Sequence, residues 1–315
     1  MKILLTGGCG YIGTNLTNAL LNNGHHVIVI DIMWFGNHLQ NHKNLKVISA
    51  DIRDIEEIPM SDIDVVIHLA NIANDPSGDL DSKLTWEVNA LASKLLVEKA
   101  IENGVKQFTY ASSGSVYGIK NELNVTEDLP LLPITDYNKS KMISERILLS
   151  YKDDIKLQII RPATVCGYSP RMRLDLSVSM LTFQALVNKK ITVFGGQQTR
   201  PNIHMNDMIR VYLHCLNSAN DVEGIYNAGF ENISILNIAK QITKLIPSDI
   251  EVTRSNDPRS YRQNSDKLIE TGFVPKYGIQ DGIKDVVDAY KSGLIKDVDE
   301  NYNMKIMKKL IIQKD

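Results

Sequence analysis

The stretch from Met1 to Asp31 constrains this chain more than any other. Lys2-Ile3-Leu4-Leu5-Thr6 is a short apolar run suited to a buried parallel strand, and Gly7, Gly10 and Gly13 follow it at three-residue spacing. Ile12, Leu16, Ala19 and Leu20 then recur at helical period as far as Gly24, and Val27-Ile28-Val29-Ile30 runs into Asp31. Strand, glycine turn, helix, strand and acid, in that order, match a dinucleotide-binding βαβ unit. Glycines let backbone approach a pyrophosphate, and the helix N-terminus, here Tyr11 and Ile12 between Gly10 and Gly13, favours its charge. Asp31 falls where a carboxylate accepts from both ribose hydroxyls and repels a 2′-phosphate, so NAD is expected rather than NADP.

With 315 residues, the chain is long enough for one large α/β domain or two smaller units. A net charge of −2 suggests neither a nucleic-acid footprint nor a polybasic membrane surface. No apolar run approaches the ~18 residues of a membrane span, and the N-terminus enters a strand with no signal-peptide pattern. A cytoplasmic protein is expected. Cys9, Cys166 and Cys215 show no metal-ligand spacing, so they read as reduced thiols and no metal is expected.

Strand and helix signals alternate through the first half, as in a parallel sheet wound by crossovers. Leu45-Lys46-Val47-Ile48 delivers Asp51-Ile52, where the acid can either receive the adenine amino group or cap the following turn. Asp64 to Ala70 is a buried strand ending in Leu69-Ala70-Asn71 at the ligand-binding edge of such a sheet. His68 within it reads as a packed core histidine. Residues 74–81 read as a flexible loop over the site, and 84–103 as one long helix that carries Asn89. The strand from Lys106 to Ala111 runs into Ser112-Ser113-Gly114-Ser115-Val116-Tyr117-Gly118, hydroxyls crowded at a strand end where a substrate can bind.

Tyr137 and Lys141 stand four apart on the next helix, on one face and one turn apart. An ammonium beside a phenol, together with a cationic nicotinamide ring, lowers the phenol pKa towards neutrality. The phenolate can then take a proton from a sugar hydroxyl. In the less regular second half, Arg171, Arg173, Arg200, Arg254, Arg259 and Arg262 fall in loops or at loop edges, where several together suit a diphosphate. The tail, 301–315, alternates Met, Ile and Leu with lysine and reads as a terminal helix docked on the surface.

Four stretches together resemble the extended short-chain dehydrogenase/reductase superfamily, and within it the nucleotide-sugar epimerases and dehydratases. They are Gly7-x-x-Gly10-x-x-Gly13 with Asp31, Asp51-Ile52, Ser112 to Gly118, and Tyr137-x-x-x-Lys141. The resemblance runs to about Val287 and is strongest to UDP-glucose/galactose 4-epimerase-like members. It implies an α/β fold, a Rossmann-type doubly wound parallel sheet with a smaller C-terminal α/β substrate-binding domain. The NAD-binding domain is expected over 1–165, with 201–230 returning to it, and the substrate-binding domain over 166–200 and 231–300. Bound NAD is implied, held by Gly7, Gly10, Tyr11, Ile12, Gly13, Asp31, Asp51, Ile52, Leu69, Ala70, Asn89, Tyr137 and Lys141. A homodimer is implied too, built on a bundle of the helices near 84–103 and 137–151.

By the same resemblance Tyr137 is the catalytic base, Lys141 its pKa modulator, and Ser113 the hydroxyl on the reacting sugar oxygen. Ser115 assists at the hexose, and Thr164, Arg171, Arg173, Arg200 and Arg254 complete the site for a nucleotide-diphosphate sugar. Gly114-Ser115 stand where 4,6-dehydratases carry an Asp-Glu pair and where UDP-xylose-forming decarboxylases carry a glutamate, which argues against both reactions. Thr164 replaces an asparagine of many UDP-sugar enzymes, and the loop Ser169 to Asp175 is also similar to GDP-sugar-modifying relatives. The expected activity is a nucleotide-sugar C4 epimerase acting through a transient 4-keto sugar. The alternatives are a C4 dehydrogenase that releases that ketone and a non-catalytic Rossmann module.

Overall fold

Short Val/Ile/Leu-rich runs separated by helical segments become strands stacked between helices. The computed structural model describes residues 1–255 and 260–312. Strands β1 (Lys2–Thr6), β2 (His26–Asp31), β3 (Leu45–Ser49), β4 (Val65–His68), β5 (Gln107–Ala111) and β6 (Lys156–Pro162) fill the first half. Between them lie helices α1 (Tyr11–Asn22), α2 (Asp75–Gly78), α3 (Ser82–Trp86), α4 (Ala92–Glu102) and α5 (Asp136–Leu149). The second half begins with β7 (Thr164–Cys166), α6 (Ser177–Asn188), β8 (Lys190–Phe194), β9 (Thr199–His204), α7 (Met205–Leu216) and β10 (Gly224–Ala228). It continues with β11 (Glu231–Ser234), α8 (Ile235–Leu245), β12 (Asp249–Thr253), α9 (Asp266–Glu270), α10 (Ile279–Lys291) and α11 (Asn303–Ile312).

One seven-stranded sheet runs in the order β10-β6-β5-β4-β1-β2-β3, with every neighbour parallel. Alternate residues of its strands feed two cores. Ile3, Leu5, Val65 and Ile67 pack on one face with α1 and α7, and Leu4, Val66, Phe108 and Leu157 on the other with α4. This is the doubly wound parallel sheet expected from the alternating strand and helix signals. Chain direction reverses between β1 and β4, which opens a crevice at their carboxyl ends. A three-stranded sheet, β11-β9-β7, and a two-stranded one, β12-β8, stand beyond that edge. There α6, α8 and α10 close a third core around Val178, Leu181, Ile191, Ile238 and Ile283.

Three local expectations are corrected. Residues 74–81 are not a loose loop: Asn74 accepts from Ser77 N and caps α2, with Pro76 in the first turn, where its missing N–H costs nothing. The helical run over 84–103 is interrupted by a π-turn at Glu87–Leu91, and α3 begins at Ser82 rather than Leu84. Helix α11 is not merely docked on the surface, because its Met307 is 2% exposed and belongs to the core that holds Ile52 and Ile72. Among the described residues, no helix is long and apolar enough to cross a membrane.

A buried ion pair ties α5 to the sheet. Arg161 Nη2 lies 2.7 Å from Glu145 Oε2, with both side chains almost wholly buried, and Arg161 Nη1 donates to Tyr117 Oη at 2.7 Å. Removing one partner strands the other's charge. Arg161→Met is therefore expected to cost about 3–5 kcal/mol of stability, and Arg161→Met/Glu145→Leu distinctly less. Denaturant titration of the two variants checks the order.

Candidate active site at the sheet switch point

The crevice widens into a cavity of about 580 Å³. Its floor is the glycine turn. Gly7 has φ +73°, and a Cβ there would stand 2.6 Å from Ala70 N, while one on Gly13 would stand 2.0 Å from Gly7 O. Only hydrogen fits at either place, so the turn and α1 lie flat against β4. The N-cap of α1 is Gly10, which has no side chain to satisfy the first-turn N–H groups, leaving an anion-binding end at the cavity floor.

Asp31 ends β2 with both oxygens held, Oδ2 by Cys9 N at 2.9 Å and Oδ1 by Met33 N at 2.8 Å. Burial raises its pKa, and these two hydrogen bonds oppose the rise. Ile52, Leu69 and Ala70 line the same half. Asp51 lines it as well, its carboxylate gripped by Arg53, whose Nη2 is 2.7 Å away and whose Nη1 reaches Glu87. Asn71 Oδ1, Arg171 Nε and Ser177 Oγ are buried at the cavity wall with no hydrogen-bond partner among the described residues. A glycine cradle, a fixed acid and unspent polar atoms on the facing wall fit a dinucleotide.

Opposite the turn, Ser113, Ser115 and Tyr137 face the cavity together. Ser113 Oγ is 2.7 Å from Ser115 Oγ, which in turn donates to Asn138 Oδ1 at 2.5 Å. Burial pushes the Tyr137 phenol up to about 12; the Ser113 hydroxyl bonded to it opposes the rise and Asp75 adds to it. Lys141 does not act on the phenol as expected. Its Nζ lies behind the cavity wall, donating to Ala111 O at 2.7 Å and standing 4.7 Å from the Tyr110 ring centre. Burial pulls this ammonium down to about 7, with Glu145 opposing. The spacing of four aligned the two side chains on α5, but burial rather than mutual attraction governs each charge.

A family model, the NAD dependent epimerase/dehydratase family, matches residues 3–229. The chain belongs to this family. A UDP-glucose 4-epimerase of Lactobacillus helveticus is 28% identical over 316 residues, covering 91% of this chain and 95% of the relative. UDP-glucuronic acid decarboxylase 1 of Xenopus tropicalis is 26% identical, covering 96% of this chain and 75% of the relative. The UDP-glucuronic acid 4-epimerase of Bacillus cereus, solved with UDP-glucuronic acid and NAD, superposes with a TM-score of 0.82. It is 29% identical and covers 93% of this chain and 99% of that one.

Other family positions scatter. Thr164, Arg173 and Arg200 line the cavity, and Arg200 donates to Thr199 O at 3.2 Å. Arg171 lines it too, but at the cofactor half, with its guanidinium 4.1 Å from the centre of the Phe35 ring and close to Asp31. Asn89 does not line it. Its side chain is spent on Ile72 N, Ile72 O and Ser140 Oγ, so it positions the strand exit behind the cofactor half. Arg254 is exposed after β12 and stands outside the cavity, as does half-buried Arg262; Arg259 lies outside the described residues. His68 is buried between Thr6 Oγ1 at 2.7 Å and Ser93 Oγ at 2.9 Å.

Sequence reasoning missed Asp75, Asn138, Asn303 and Met307. Asp75, Asn303 and Met307 line the cavity, and Asn138 is buried beside it with Nδ2 unpartnered. The Asn74-Asp75-Pro76 run is a helix-start signal and could have disclosed α2.

Lys141 generates a test of sign. From pH 10.5 down to about 7, the unfolded chain holds a proton on this lysine that the folded chain lacks, so its burial costs stability that grows as pH falls. Lys141→Met is expected to melt at a higher temperature than the parent at pH 7, with the gap shrinking towards pH 10. A gap constant across that range would show the lysine to be charged in the fold.

Proposed function

We propose that this chain is a nucleotide-sugar C4 epimerase that works through a transient 4-keto sugar. The observation carrying this reading is the hydroxyl pair Ser113 and Ser115, linked at 2.7 Å and facing the same cavity as Tyr137. Elimination of water would need an acid–base pair at that wall, where Gly114 and Ser115 stand instead. The carboxylate nearest the phenol on the cavity side, Asp75, is held by the Thr135 hydroxyl. The Lactobacillus and Bacillus relatives, both 4-epimerases of UDP-sugars, support the same reading and make UDP-glucose and UDP-glucuronic acid the first substrates to try.

In this reading Tyr137 receives the C4 hydroxyl proton and later returns it, while Ser113 donates to the same sugar oxygen and fixes its distance from the phenol. Bound NAD supplies a hydride acceptor and, in its oxidised form, a positive ring charge. Such a charge is what the phenol lacks, since burial alone leaves it protonated at neutral pH. Ser115, held by Asn138, lies one hydrogen bond further along and receives the hexose. Segments 166–200 and 231–300 hold the nucleotide, with Arg173 and Arg200 towards its diphosphate. The active form is a cytoplasmic homodimer built on α4 and α5, beside which Leu91 is 52% exposed.

Incubation with UDP-glucose or UDP-glucuronic acid is expected to give the C4 epimer by NMR with no net NADH. Stoichiometric NADH with a 4-keto product, and no epimer, would identify a dehydrogenase instead. Tyr137→Phe is expected to lower kcat by about 10²–10⁴ while the nucleotide sugar still raises the melting temperature.

A further inference from the structure

The cofactor half of the cavity is bordered by a chain of polar contacts that ends in the tail. Asp175, on the loop between β7 and α6, accepts from Arg173 Nε at 2.9 Å and Nη2 at 3.0 Å, and from Asn74 Nδ2 at 3.2 Å. Asn74 belongs to the segment leaving β4, so Asp175 joins the two banks of the crevice. The tail fastens onto the same carboxylate through Asn303 N, 3.3 Å from Asp175 Oδ2. Asn303 Oδ1 accepts from Arg171 Nη2 at 2.5 Å, and Asn301 O accepts from Leu174 N at 2.9 Å.

Arg171 completes the border. It is 3% exposed, stacked on Phe35 of the loop after β2, and its Nε has no partner among the described residues although it lines the cavity. Below it, Met307 enters the core against Ile52 and Ile72 and forms part of the cavity wall. Four separate segments, after β2, after β4, after β7 and in the tail, therefore meet around the half of the cavity that carries Asp31. No segment of the βαβ unit supplies this closure.

We propose that the tail, through Asn303 and Met307, is a wall of the NAD site, and that the Arg171–Asn303–Asp175–Asn74 bridge keeps NAD in place through successive turnovers. The unspent Arg171 Nε is its polar contact with the dinucleotide. A C4 epimerase returns its hydride to the sugar and has no use for cofactor exchange, so the proposal rests on that reading for its purpose, though not for its geometry.

The test measures NAD directly on the full-length protein without sugar. Release is followed by chasing bound 1,N6-etheno-NAD with excess NAD and reading the fluorescence change, alongside the NAD content of the purified protein. Arg171→Met and Asn303→Ala are each expected to release the nucleotide about tenfold faster or more, the effect of losing charge-assisted hydrogen bonds. Ending the chain at residue 300 is expected to do the same, and circular dichroism on the two point variants guards against a truncated chain that does not fold. Lys308→Ala, on the exposed side of the same helix, is expected to leave release unchanged. Release within twofold of the parent for both point variants would overturn the proposal, even if epimerisation were found. Fast release in the variants with no epimer from any nucleotide sugar would overturn the epimerase reading and leave the tail's role standing.

Discussion

The near-contact between two backbones at the sheet's switch point sets the geometry on which the rest depends. With Ala70 N so close to Gly7, the glycine turn and the β4 exit form one continuous floor rather than two facing lips. The helix N-terminus and the end of β2 are then aligned by the sheet's own register, in which Thr6 pairs with Ile30 and with His68. Side chains added later in the chain need only reach this floor. Ser113 does so from the end of β5, Tyr137 from α5, and Arg173 from the loop after β7.

The catalytic corner carries its chemistry at an electrostatic cost. A phenol and an ammonium are both buried, and each is pushed towards its neutral form. Such an arrangement is held by the surroundings, not by the pair. Glu145 and Arg161 lock the inner face of α5 onto β6, and Thr135 caps the helix start while also holding Asp75. The strength of these anchors explains how unfavourable charges persist at the surface of a cavity. The protein stores the potential for proton transfer in a site that remains poised until a cation faces the phenol.

Much of this could be read from residue order. The glycine spacing, the strand that follows and Asp31 are local signals, because a turn and an acid at a strand end are decided within one βαβ unit. Ser113 and Tyr137 were equally legible, since each stands at a strand or helix end that the parallel winding must bring to one edge. What failed was everything decided by burial or by distant contact. The i, i+4 spacing of Tyr137 and Lys141 says that they share a face, but not that Ala111 O captures the ammonium first. Arg171 reads as a loop cation, yet Phe35 and Asn303, 136 and 132 positions away in sequence by their numbering, draw it to the cofactor half. Asn303 itself carries no pattern at all, because its importance lies in partners that periodicity does not contain.

The π-turn at Glu87–Leu91 has a consequence for how this fold can vary. The turn leaves the carbonyl of Asn89 free to accept both Ser93 Oγ at 2.6 Å and Ser144 Oγ at 2.7 Å, which stitches the helical run to α5. One residue beyond the α-helical repeat advances the phase of everything after it by about 100°. Deleting a single residue here would regularise the helix and turn Leu96, Val97 and Ala100 out of the core, while Lys94 and Glu98 rotated in. The helix is thus a counted object: substitutions along it can be absorbed one at a time, but its length between Ser82 and Glu102 cannot drift.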